Sequence, residues 1–74
     1  MVGKRIAIIR KNKNMSQEEL AKRVGLAQTL ISRIERGARK VAAEELINFA
    51  TALGVPISSL LEEEGGDDVE RKGA

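Results

Sequence analysis

Apolar residues recur along this chain at intervals of three and four, the spacing of one face of a helix. Ile6 and Ile9 give the inward face of a first helix from about Gly3 to Lys11, with Ile8 on its flank. Arg10 falls one turn beyond Ile6 on that face, so its guanidinium is expected against the domain, seeking a carboxylate. Asn12, Lys13 and Asn14 form a polar turn. Ser16, with Glu19 three residues on, predicts a capping box, and Met15 with Leu20 the hydrophobic staple beside it. Leu20, Ala21 and Val24 make the stripe of a second helix, which Gly25 ends by entering the left-handed region while Leu26 folds back onto the stripe. Ala27, Leu30, Ile31 and Ile34 stand at i, i+3, i+4 and i+7 of a third helix, spanning about 27–36 and stopped by Gly37. Leu46, Phe49, Ala50 and Leu53, with Ile47 beside them, mark a fourth from about Ala43, closed by Gly54. Val55 and Pro56 lead into a short fifth, Ile57 to Leu61.

Residues 16–37 thus form two short helices joined by a sharp turn, the outline of a helix-turn-helix. The third helix leaves Gln28, Thr29, Ser32 and Arg33 on its polar face. These side chains can read base edges: Gln on adenine, Arg on guanine, the Thr methyl on the thymine methyl, Ser on either partner.

The run SQEELAKRVGLAQTLISRIERG, followed by LINFATALGVPISSLL, resembles the Cro/phage-repressor (XRE) family over about residues 3 to 61. The resemblance implies an all-α, compact five-helix domain of the lambda-repressor-like kind with a helix-turn-helix. It implies a sequence-specific double-stranded DNA-binding transcriptional regulator of repressor type, not an enzyme and without a cofactor. It pairs Arg10 with Glu35, and puts Gln17, at a helix start favourable to anions, on a DNA phosphate. Arg36, Arg39 and Lys40 are expected to hold the backbone on the other side. Ala27 and Ala42 stand where the family has small polar N-caps, losses of about 1 kcal/mol each. TLISRIERG followed by ARKVA also resembles controller proteins of restriction–modification systems, with Leu30 in place of that pattern's usual aromatic.

Charge divides the chain into residues 1–61, a basic DNA-binding domain, and residues 62–74, an acidic tail of disordered composition. The first part holds eleven Lys or Arg against five Glu, net +6; the second holds two against six acidic residues, net −4. A basic domain fits a polyanion partner, and the tail is a candidate for a protein partner, as in an antitoxin-type DNA-binding protein. There is no cysteine or histidine, so disulfides and thiolate or imidazole metal sites are excluded. Adjacent Glu44 and Glu45 suit the start of a helix better than acid–base chemistry. No membrane span or signal peptide is read, and a cytoplasmic, nucleoid-associated protein is expected. A domain this small is marginally stable alone. Val55, Ile57, Leu60 and Leu61 are therefore expected to join a homodimer, which places two reading helices on a palindromic operator.

Overall fold

Each apolar stripe becomes a helix in the computed structural model, which describes residues 2–62. The helices are α1 Val2–Asn12, α2 Gln17–Val24, α3 Gln28–Glu35, α4 Ala43–Leu53 and α5 Ile57–Leu61. No strand occurs among the described residues. Expectations for the acidic tail fall, Glu62 apart, outside the described residues. All five helices are too short to be stable in isolation, so packing of their stripes holds them. α3 packs on α1 and α2, α4 lies against α1, α2 and α5, and α5 returns to α1. Phe49, Ile6, Leu20, Ile31, Ile34 and Leu60 are fully enclosed at their centre.

The turns follow from local chemistry. Ser16 accepts the Glu19 N–H on its hydroxyl at 3.0 Å and caps α2. The reciprocal half of the expected capping box does not form: the Glu19 carboxylate instead accepts from Arg23, one turn on, at 2.7 Å. An i, i+4 ion pair has drawn it away from the cap. Met15 and Leu20 are both buried beside this start. Gly25, at φ 75°, ends α2 and donates its N–H to the Ala21 carbonyl, leaving the short turn to Ala27.

Ala27 and Ala42 are the N-caps of α3 and α4, and neither side chain makes a cap bond. At α4 the loss is offset from inside the helix, where Glu45 accepts the Ala42 N–H at 3.0 Å.

Gly3 has a role that periodicity does not show. A Cβ built on it would overlap the Ile34 carbonyl oxygen and lie 2.9 Å from the carbonyl carbon. Its missing side chain lets α1 sit directly on the end of α3. Arg5 ties the other side of α1 to α5, donating from Nε to the Ser59 carbonyl at 3.0 Å.

Leu60 corrects the expected set of dimer residues. It is wholly buried in the domain's own core, because α5 caps that core against α1 and α4. Val55 is half-buried, whereas Ile57 and Leu61 are 37% and 54% exposed. Ile47, expected beside the α4 stripe, is 54% exposed.

Candidate nucleic-acid interface

α3 is seated by what it buries. Ile31 and Ile34 point into the core with Leu30 half-covered, so the opposite face must look outward. Gln28, Thr29 and Arg33 lie exposed there, and Ser32 is half-buried at its edge. None of these four side chains makes a hydrogen bond or ion pair among the described residues, so their donors and acceptors are open to an incoming ligand. Arg36, the C-cap of α3, and Lys40 in the following loop are likewise exposed and unpaired among the described residues.

Arg39 differs from its neighbours. Its two terminal nitrogens donate to the two oxygens of Glu45 at 3.1 and 2.9 Å. The paired Arg39, with the Ala42 N–H as second donor, holds the Glu45 carboxyl below the ordinary glutamate range. Glu45 in turn raises the Arg39 guanidinium above its usual value. The cation expected to sit on a phosphate is thus already matched by a carboxylate. A glutamate three residues after the N-cap signals its bond to the Ala42 N–H, the return half of a capping box, but not its pairing with Arg39.

Behind the polar face of α3 lies a polar cluster of three helices. Arg10 donates from Nε to Glu35 Oε2 at 2.7 Å and from Nη2 to Oε1 at 3.0 Å, a bidentate contact between α1 and the last residue of α3. The Arg10 and Glu35 side chains are 9% and 7% exposed. Arg10 Nη1 also donates to the Met15 carbonyl at 2.7 Å, next to the start of α2. Gln17, half-buried as the first residue of α2, donates from Nε2 to Glu35 Oε1 at 2.9 Å. Sequence spacing gave no hint of the Gln17 contact, which joins residues on two helices through a third partner.

Among the described residues no group of three or more acidic, His or Cys side chains could hold a metal ion. No described helix is long and apolar enough to cross a membrane. The arrangement presents an unpaired polar face of α3 flanked by the exposed cations Arg36 and Lys40.

The helix-turn-helix family profile matches residues 6–60. An uncharacterized HTH-type transcriptional regulator of Sinorhizobium medicae (strain WSM419) is 38% identical over 66 residues, covering 89% of this chain and 48% of that protein. The chain thus spans about half the length of that relative. Control protein C.BamHI of Bacillus amyloliquefaciens is 43% identical over 63 residues, 84% of this chain and 78% of its own. The controller protein C.AhdI from Aeromonas hydrophila superposes with a TM-score of 0.77 at 36% identity, over 80% of this chain and 89% of that one. The biofilm master regulator SinR, solved in complex with DNA, gives a TM-score of 0.77 at 35% identity over 84% of this chain and all of that one. With this family profile across nearly all of the described residues, the chain belongs to the Cro/phage-repressor (XRE) helix-turn-helix family of DNA-binding transcriptional regulators.

Proposed function

We propose that this chain is a repressor-type regulator that binds a palindromic operator as a homodimer, in the cytoplasm at the nucleoid. Residues 27–36 enter the major groove. There Arg33 takes guanine, Gln28 adenine, the Thr29 methyl packs on thymine, and Ser32 bonds either partner. Gln17, Arg36 and Lys40 fix the register on phosphates, with Arg39 contributing once it exchanges Glu45 for a phosphate. The observation that carries this reading is the open, unpartnered polar face of α3 opposite the buried Ile31 and Ile34.

The dimer contact is assigned to Ile57, Leu61 and the half-buried Val55, with Ile47 available on the adjoining α4. These side chains are the exposed large hydrophobics of the described residues, Val55 apart, and all lie on or between α4 and α5. A second copy covering them places two recognition helices about 34–36 Å apart on one face of the duplex.

Recovery of bound duplexes from a random pool tests this directly. The expected product is a two-fold symmetric motif with half-sites about one helical turn apart, or a multiple of it. A single asymmetric half-site would overturn the palindromic reading.

A narrower reading is favoured by the match to C.BamHI, which extends over most of both chains. In it the protein is the controller of a restriction–modification system. The recovered motif would then occur ahead of a gene for a restriction endonuclease, and its absence there would remove this reading while leaving the regulator.

A further inference from the structure

We propose that Glu35 is the positioning residue for Gln17, so that Arg10, Glu35 and Gln17 form one relay aiming a phosphate-gripping amide from behind the reading helix. This rests on the reading of Gln17 as a phosphate contact. A carboxylate paired to arginine can only accept hydrogen bonds. Glu35 Oε1 lies 2.9 Å from the Gln17 amide nitrogen and also takes Arg10 Nη2. The Gln17 amide must therefore turn Nε2 towards Glu35, since its own oxygen would meet the carboxylate with like charge. One N–H is used, the amide plane is fixed, and the second N–H remains for a ligand.

An anchored side chain has already given up the freedom that a free glutamine loses on binding, so the contact it makes is stronger. The geometry also joins two registers. Glu35 is the last residue of α3, Gln17 the first of α2, and Arg10 holds the Met15 carbonyl just ahead of the Ser16 cap. A shift of α3 relative to the start of α2 breaks the relay, so the grip on the phosphate and the depth of the reading helix change together.

The test uses the full chain with Arg10→Met and Glu35→Leu combined. The pair of substitutions removes equal and opposite charges, so general attraction to DNA is unchanged, and an apolar replacement for an ion pair commonly preserves folding. Probes are fluorescent duplexes carrying the site recovered from a random pool, or a scrambled sequence. The double variant is expected to lose on the order of 3- to 10-fold in affinity, the worth of one hydrogen bond. Gln17→Met alone should lose at least as much, and adding Gln17→Met to the double variant should lose less than it does in wild type. Additive losses, or wild-type affinity in a folded double variant, would overturn the relay. Wild-type affinity in Gln17→Met alone would instead overturn Gln17 as a phosphate contact.

A second readout needs neither DNA nor a variant. Gln17 and the exposed Gln28 are the two glutamines of the chain, so their side-chain amide signals are internal references for each other. In wild type the Gln17 amide protons should exchange with water more slowly than those of Gln28. Equal rates would overturn the anchoring, whatever Gln17 does on DNA and whether or not the double variant folds.

Discussion

Glu45 meets Arg39 through both carboxylate oxygens, at 3.1 and 2.9 Å, and with Oε1 it also closes the N-terminus of α4 on the Ala42 N–H at 3.0 Å. One half-buried carboxylate thereby makes the half of a capping box that Ala42 still allows and folds a cationic loop onto the helix that follows. Its folded-state pKa is lowered, so its stabilisation is present above the unfolded glutamate value of about 4.3 and is lost as pH falls through the folded value. Arg39 stays protonated throughout. Thermal midpoints should fall from about pH 6 to about pH 3 in wild type, and fall less in Glu45→Gln, which has lost this contribution at every pH. Parallel curves for the two proteins would show that Glu45 does not contribute to acid sensitivity. The difference should shrink in high salt, since the pair faces solvent.

The same pairing separates the loop cations in their response to salt. Arg36→Ala and Lys40→Ala should each weaken binding to all sequences and reduce the salt slope by about one unit, as for a lost phosphate contact. Arg39→Ala should reduce it by less, because its charge is already matched by Glu45. Titrations on random duplex across a range of salt concentrations measure all three, and an Arg39 effect equal to the others would place Arg39 wholly on DNA.

Gly3→Ala should destabilise the domain by about 1–3 kcal/mol, the cost of forcing a methyl into a closed contact. Both obstructing atoms, the Ile34 carbonyl oxygen and carbon, belong to the backbone and cannot swing aside. In a domain of this size each kcal/mol lowers the melting temperature by about 4–8 °C. An unchanged melting temperature would mean that α1 does not approach the end of α3 so closely.

Ile57→Asp and Leu61→Asp should leave the helical circular dichroism intact and shift sedimentation equilibrium towards monomer. Leu60→Asp should unfold the chain, since Leu60 is fully enclosed. Wild-type association in both exposed-site variants would exclude this face as the dimer contact.

The helices were legible because each one's stripe sits in its own short window. The bounds of α4 and α5 agree with those read from Leu46, Phe49, Ala50 and Leu53 and from the Pro56 turn. Gly25 likewise announced the left-handed turn that it makes. Relations across the chain were less legible. Periodicity puts Leu60 and Leu61 in one apolar cluster, but only packing of α5 against α1 and α4 separates a core residue from an exposed one. Gly3 looked like a helix start because its contact lies with Ile34. Glu45 was read for its charge in the first turn, whereas its bonds depend on where the preceding loop brings Arg39.

Selection of bound duplexes in parallel with wild type and Arg33→Ala tests most directly whether α3 reads sequence. Arg33 is exposed on the polar face of α3, and a bidentate contact to guanine is worth about 1–3 kcal/mol of discrimination. The variant should recover the same motif with preference lost at one guanine-containing position in each half-site, and with overall spacing unchanged. An identical motif from both proteins, or equal loss of affinity for selected and scrambled DNA, would contradict base reading by this face of α3.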